Sequence, residues 1–200
     1  ELEKLSEGLG HLAVQGSKVN GQVLGVSAGA ESKLQETIVR GDDLIATCTT
    51  DIPIPFQWQS YWRASSPRED VAQIDVVVSL QTPTLESYPT LAINSSLEAS
   101  EIFGLPLTDQ LFKPLDLLAL ETIQEELSHC IVLRKAAAPW SYVEMTLPED
   151  QTVTTMKADN GECTVERKLG GGFLEKGVIR RMCLRGLFLP RENDLELAVD

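Results

Sequence analysis

The most unusual side chains of this sequence lie in residues 56–63, where aromatic, amide and guanidinium groups alternate. If the segment is a strand, Phe56, Trp58 and Trp62 face one side and the polar groups face the other. Amide and guanidinium groups form paired hydrogen bonds with hydroxyls or carboxylates, whereas flat aromatic rings stack on sugar rings. We expect the aromatic side to pack in the core. The candidate ligand-binding set is then Gln57, Gln59, Tyr61 and Arg63.

A second polar set lies near the C-terminus, in a predicted strand where arginines alternate with apolar residues. There Arg181 and Arg185 share one face, and Arg180 lies on the opposite face. Burying an unpaired guanidinium costs free energy, so each arginine must meet a carboxylate or reach solvent. Structural pairing with acidic residues is the favoured interpretation. The alternative is a groove in which Arg181 and Arg185 bind an anion or a carboxylate ligand.

A G-x-S-x-G pattern at residues 25–29 matches the nucleophile elbow of α/β-hydrolases. That chemistry requires a strand, a sharp turn that exposes the serine, and a helix, with an acid and a histidine later in the chain. Here a β-branched run and a hairpin turn follow Ser27, and His129 begins an apolar stretch. We therefore predict that Ser27 is not a nucleophile. No carboxylate pair stands out for glycoside hydrolysis, so no catalytic residue is assigned.

The cysteines and histidines do not form a metal-binding pattern. The four cysteines are widely spaced without a C-x-x-C pair, and the two histidines lie far apart. Structural zinc sites normally show paired ligands a few residues apart, so we expect no metal and no cofactor. Cys48, Cys130 and Cys183 have apolar neighbours and are interpreted as buried thiols. Whether these three and Cys163 form disulfides stays open.

The charge of the chain excludes some classes of partner. Thirty acidic residues against seventeen basic ones give a net charge of −13 over 200 residues. Nucleic acids and anionic membrane surfaces require a basic footprint, so we expect neither as a partner. Residues 167–191 are an exception, with seven basic residues against one acid. Internal ion pairing is the favoured interpretation of this stretch, and a local anion site is the alternative.

Short apolar runs predict a soluble protein. The longest apolar runs span four or five residues, whereas a membrane-spanning helix needs about eighteen or more. We also expect no signal peptide, because the first residues do not show a basic region followed by an apolar one. The compartment is not predicted.

Hairpin turns and short alternating segments predict the fold. Asn20-Gly21, Gly41-Asp42 and Asn160-Gly161 suit tight turns, because Asn and Gly tolerate the positive φ angles that such turns need. The strands expected around and between them number roughly ten to twelve, and long helices do not alternate with them. The sequence therefore predicts an all-β, mainly antiparallel β-sandwich, as a single domain over residues 1–200. The predicted strands are 11–19, 22–27, 34–40, 44–50, 56–64, 71–80, 88–94, 129–135, 140–147, 152–158, 162–169 and 178–189.

One segment departs from the strand pattern. Apolar residues between 114 and 127 follow the helical period, and Pro114 suits the first position of a helix. We expect an amphipathic helix over 114–127 that covers one end or face of the sheets.

The fold class hosts many functions, so the function is a hypothesis from the candidate residues. The leading one is a non-catalytic binding module that holds a saccharide, or a similar polar or anionic small ligand, on one sheet face. A sugar-active enzyme with unidentified acid and base carboxylates is the first alternative. The second is a structural subunit whose function is an interface, including one between copies of this chain.

Overall fold

A computed structural model describes residues 13–14, 17–18, 21–29, 32–51, 53–106, 111–116 and 129–199. Within this part of the chain, thirteen strands form two antiparallel sheets that pack face to face, which confirms the predicted all-β sandwich. The smaller sheet has the order β13-β14-β8-β3. Its strands are β3 (Gly21–Ser27), β8 (Thr90–Glu98), β13 (Gln151–Asp159) and β14 (Glu162–Gly170).

The larger sheet has the order β10-β9-β11-β12-β15-β7-β6-β5-β4. Its strands are β4 (Lys33–Arg40), β5 (Asp43–Thr50), β6 (Phe56–Arg68), β7 (Val71–Gln81), β9 (Glu101–Leu105), β10 (Lys113–Pro114), β11 (Cys130–Arg134), β12 (Trp140–Thr146) and β15 (Arg180–Pro190). A separate pair is formed by β1 (Ala13–Val14) and β2 (Ser17–Lys18). A short helix, α1 (Asp194–Leu197), follows the last strand.

Two of the three predicted hairpins are confirmed. Gly41 has a φ of 59° between β4 and β5, and Asn160 and Gly161 have φ angles of 50° and 84° between β13 and β14. These values lie in the left-handed region that the tight turn requires, which explains the Asn and Gly residues there.

The hairpin predicted at Asn20-Gly21 is not found among the described residues, and Asn20 itself lies outside them. Where the chain is described, β3 pairs with β8 and β1 pairs with β2, so the predicted pairing of 11–19 with β3 is not seen. A Cβ atom on Gly21 would lie 2.2 Å from the carbonyl oxygen of Ser96. This glycine therefore permits the close approach of β3 to β8.

Other elements differ from the predicted ones. Strand β6 continues past Ala64 through a bulge between Ser65 and Arg68, and β9 was not predicted. Pro114 lies in β10, opposite Phe103, and not in a first helical turn. Most of the predicted helix, residues 117–128, lies outside the described residues. No helix in the described part of the chain has the length and apolar character to cross a membrane.

The main core lies between the sheets, and a second apolar cluster covers part of the other side of the larger sheet. That second cluster includes Val132, Val143 and Leu187, with Leu195 and Leu197 of the C-terminal segment packed against it. We call the side of the larger sheet that is turned away from the smaller sheet the outer face. This cover reaches β9, β11, β12 and the second half of β15. In the described part of the chain, this cover leaves open the outer face of β5, β6, β7 beyond Val71 and the first half of β15, where Gln59, Arg63, Gln81 and Arg181 are exposed.

Candidate functional site

The register of the larger sheet brings all six predicted binding residues onto the outer face. Gln59 lies opposite Ser79, and Ser79 lies opposite Arg181 on the next strand. Two rows along on the same face, the same relation joins Arg63 to Arg185 through Asp75. Strands β6 and β15 thus flank β7, and the distance between them is about 10 Å. Gln57 and Tyr61 share this side of β6 because strand residues alternate.

The aromatic side of β6 faces the smaller sheet, as predicted. Phe56 and Trp58 are buried in the core between the sheets, with their ring centroids 5.6 Å apart. Trp62 is half-buried against the same core, and its indole Nε1 donates a hydrogen bond to the carbonyl of Leu24 at 2.9 Å. The tryptophans therefore position β6 and are not a surface for stacking a ligand.

Two adjoining depressions form a shallow groove where β5, β6 and β7 meet one end of the sandwich. We call them together the amide groove, because they share the hydrogen-bonded side chains of Gln57 and Gln81. Their volumes are about 330 and about 140 Å³. The larger is lined by Thr49, Thr50, Asp51, Pro55, Phe56, Gln57, Gln81, Thr82 and Pro83. The smaller is lined by Gln57, Trp58, Gln59, Ser79, Gln81 and Ile179.

The side chains of the amide groove hold one another by hydrogen bonds that use part of their capacity. Gln81 Nε2 donates to Gln57 Oε1 at 2.9 Å, and Gln59 Nε2 donates to Thr47 Oγ1 at 3.3 Å. Each primary amide has two N–H donors and two acceptor sites, so one bond leaves further groups for a ligand. The groove therefore presents oriented donors and acceptors beside the apolar side chain of Ile179.

A row of alternating charges crosses the outer face beside the groove. Arg63 Nε lies 2.8 Å from Asp43 Oδ1, and Arg40 contacts the same carboxylate at 3.5 Å. Hydrogen bonds from Arg63 and Tyr61 hold the pKa of Asp43 well below its ordinary range. Burial raises the pKa of Tyr61, and its hydrogen bond to Asp43 adds to this. Arg63, which was predicted as a ligand-binding residue, therefore has a structural partner.

The two arginines of β15 differ in their contacts. Arg185 Nε lies 2.7 Å from Asp75 Oδ1, so its guanidinium is paired. Arg181 is exposed, and in the described part of the chain its guanidinium makes no ion pair or hydrogen bond. Its cross-strand neighbour Ser79 lines the amide groove. Of the six predicted residues, Gln57 and Gln59 line the groove, Arg181 borders it, and Tyr61, Arg63 and Arg185 lie in the rows beyond.

Some residues of this face were missed from the sequence. Ser79 and Gln81 lie on β7 and contribute to the groove, as Ile179 does from the segment before β15. The alternation of polar and apolar residues in β7 was the available signal, since Val76, Val78 and Leu80 are buried between them. Their closeness to Gln57 and Gln59 depends on strand pairing.

The positions of the cysteines and of Ser27 can be compared with their predicted roles. Cys183 is exposed on the outer face, so its interpretation as a buried thiol is wrong, and Cys48 is half-buried. Cys130 is buried as predicted, and the four cysteines are free.

Ser27 ends the strand β3 opposite Ala92, and its hydroxyl accepts a 3.4 Å hydrogen bond from Asn94 Nδ2. The next described element after it is the strand β4, whereas a nucleophile elbow leads into a helix. That Ser27 is not a nucleophile stays a prediction.

An unforeseen buried ion pair connects the two sheets. Arg167 of β14 and Glu144 of β12 are both fully buried, with Nε 2.5 Å from Oε1. Ser95 and Tyr142 donate hydrogen bonds to the other carboxylate oxygen. The sequence signal was the inward position of Arg167, two residues from the buried Val165 and Leu169. Because this carboxylate is enclosed and paired, it has no role in the candidate site.

Comparisons with known proteins show the fold and no family. No family model and no curated protein matches the chain. A galactose mutarotase-like protein from Lactobacillus casei ATCC 334 matches with a TM-score of 0.57 and 10% identity over 78% of this chain and 72% of that protein. A proposed kojibiose phosphorylase from the human microbiome matches with a TM-score of 0.52 and 8% identity. That match covers 91% of this chain but 25% of the phosphorylase.

A galactose mutarotase related enzyme from Lactobacillus acidophilus has a TM-score of 0.48 and 8% identity, over 80% of this chain and 71% of that enzyme. At such identities, the likeness to the Lactobacillus casei protein shows a galactose mutarotase-like β-sandwich fold.

Proposed function

We propose that this chain is a non-catalytic saccharide-binding module whose ligand lies on the outer face, over the amide groove. The observation that carries the proposal is the set of oriented amide and hydroxyl groups beside an apolar side chain. Gln57, Gln59, Gln81 and Ser79 supply the polar groups, and Ile179 supplies the apolar surface. The galactose mutarotase-like fold supports a carbohydrate as the ligand.

The chemistry of the groove suits a polyhydroxylated ring. Each sugar hydroxyl both donates and accepts hydrogen bonds, and a primary amide offers the complementary donor and acceptor in one plane. The C–H faces of a sugar ring are apolar, so Ile179 and Pro83 provide matching contacts. The groove is shallow and solvated, and its hydrogen bonds replace bonds to water. We therefore expect modest affinity from each subsite.

The acidic groups near the groove favour binding over catalysis. Glycoside hydrolysis uses two carboxyl groups about 5–10 Å apart on either side of the scissile bond. Among the described residues that line the groove, the acidic one is Asp51. Its Oδ2 lies 3.2 Å from Lys33 Nζ. The nearby Asp43 and Asp75 are each held by an arginine. This arrangement lacks the pair of carboxyl groups that the enzyme alternative needs.

The test is isothermal titration with a panel of neutral oligosaccharides, followed by titration of Gln57→Ala/Gln81→Ala with the ones that bind. Loss of two neutral hydrogen bonds at about 0.5–1.5 kcal/mol each predicts an affinity lower by about tenfold. Gln22→Ala is the matched control, because Gln22 lies on β3 of the other sheet. It should bind as the wild type does. Binding that Gln57→Ala/Gln81→Ala leaves intact would contradict this location, and no binding by any glycan would contradict the proposed function.

A further inference from the structure

On the outer positions of β4 to β7 and of β15 up to Arg185, four basic side chains are paired, whereas Arg68 and Arg181 make no ion pair in the described residues. Lys33 lies 3.2 Å from Asp51, and Arg185 lies 2.7 Å from Asp75. Arg40 and Arg63 both contact Asp43. In the same described region, Arg181 is exposed and makes no ion pair. A guanidinium presents five N–H donors in a fixed planar fork, and the fork of Arg181 is directed to solvent beside the groove.

The charge of this face is opposite to that of the chain. On the outer positions of β4 to β7 and of β15 up to Arg185, six basic residues stand against three acidic ones. They are Lys33, Arg40, Arg63, Arg68, Arg181 and Arg185 against Glu36, Asp43 and Asp75. The whole chain, in contrast, carries −13. The net negative charge of the chain repels an anionic ligand, whereas the excess of basic residues on this face attracts one.

Of the two unpaired arginines, Arg181 lies next to the groups that would hold a sugar ring. Arg181 lies opposite Ser79 in the β15–β7 register, and Ser79 lies opposite Gln59. Adjacent strands are about 4.8 Å apart, so the backbone of Arg181 lies about that distance from Ser79, which lines the smaller depression. Asp75 is the nearest outer-face carboxylate on β7. It pairs with Arg185 and accepts a 2.7 Å hydrogen bond from Gln73, so it is not paired with Arg181.

We propose that the saccharide is acidic and that Arg181 binds its oxyanion, a carboxylate or a sulfate ester, through a bidentate contact. This inference rests on the proposed function, since it assigns the class of ligand to the same groove. Planar carboxylates match the guanidinium fork in two parallel N–H···O bonds, and charge assistance makes these bonds stronger than bonds between neutral groups. Gln57, Gln59 and Gln81 then contact the neutral hydroxyls of the same ligand.

The experiment is calorimetric titration with matched glycan pairs that differ only in charge. One pair is oligogalacturonate and its methyl ester, and the other is a sulfated galactan oligosaccharide and its desulfated form. The wild type should prefer the charged member of at least one pair by about tenfold or more, and this preference should decrease as salt screens the contact. The pair that shows the preference distinguishes a carboxylate from a sulfate.

Substitutions at Arg181 complete the test. Arg181→Gln should abolish the preference while neutral oligosaccharides bind as before, and Arg181→Lys should keep part of it, because an ammonium is a point charge without the fork. Arg68→Gln is the matched control, since Arg68 is an exposed arginine near the opposite end of β6. If neutral glycans bind but no charged member is preferred, the inference is overturned and the proposed function stands. If no glycan binds, both fail.

Discussion

Glu144 and Arg167 form an ion pair inside the sandwich, one residue from each sheet, with 1% and 0% of their side chains exposed. Arg167 Nη2 also donates to the Glu144 carbonyl at 3.2 Å, and the hydroxyls of Ser95 and Tyr142 reach the carboxylate. The Ser95 hydroxyl in turn accepts a hydrogen bond from the Leu24 amide, whose residue adopts a φ of 53°. One buried network thus connects β3, β8, β12 and β14.

Breaking this ion pair from one side should destabilise the protein strongly. Arg167→Met leaves a buried carboxylate without its charge partner, which typically costs about 3–5 kcal/mol. The double variant Glu144→Leu/Arg167→Met should lose less, because neither charge is then left buried and unpaired. Urea unfolding of the wild type, both single variants and the double variant measures this difference. A double variant whose loss equals the sum of the single losses would show that the two residues are not coupled.

Trp58→Ala should test the role of β6 in the core. The Trp58 side chain is 2% exposed, so its removal leaves a cavity and is expected to lower the free energy of unfolding by about 3–5 kcal/mol. Gln59→Ala, at the next residue and on the outer face, should change it by less than about 0.5 kcal/mol. Denaturant unfolding of both variants is the measurement. Equal and small losses would mean that the aromatic side of β6 is not packed as described.

The contact between Arg134 and Asp194 should make stability depend on acid pH. Burial raises the pKa of Asp194, but hydrogen bonds from Arg134 and Ser141 outweigh it, so the pKa lies below the ordinary 3.8. The stabilisation is therefore complete above pH 3.8 and is lost as pH falls through the lower folded-state value. Asp194→Asn should cost about 1.5–3 kcal/mol at pH 7, and this cost should shrink below pH 3.8.

The control for that titration is Glu192→Gln, which removes an exposed carboxylate two residues earlier. Its unfolding free energy should follow the wild type at every pH. A cost of Asp194→Asn that is the same at pH 3 and pH 7 would contradict the lowered pKa. Thermal or urea unfolding between pH 2.5 and pH 7 supplies both curves.

Thiol reactivity should rank the four cysteines by position. Cys183 is exposed and should react first with a disulfide reagent at pH 8, followed by the half-buried Cys48. Burial raises the pKa of Cys130 and of Cys163 to about 12, so neither forms the reactive thiolate in the folded protein. Cys183→Ser should remove the fast phase, and all four thiols should react in denaturant. Rapid modification of Cys130 or Cys163 under native conditions would contradict their burial.

The sequence alone determined the features that follow from local geometry. Side chains of a strand alternate, so the residue types of β6 placed Trp58 in the core and Gln59 on the opposite face before any partner strand was known. Asn160-Gly161 located a hairpin because tight turns need positive φ angles. Alternation also placed Arg181 and Arg185 on one side of β15. These properties depend on residues within a few positions of one another.

The tertiary structure decided which side chains meet. Arg185 is paired with Asp75, 110 positions away in the chain, whereas Arg181 has no such partner in the described residues. These two arginines are four positions apart in the chain, and both lie on the same face. Their difference depends on the residue that the neighbouring strand places opposite each one, Asp75 or Ser79. That register is set by packing across the whole sheet, so the amide groove and its unpaired cation emerge only when distant strands pair.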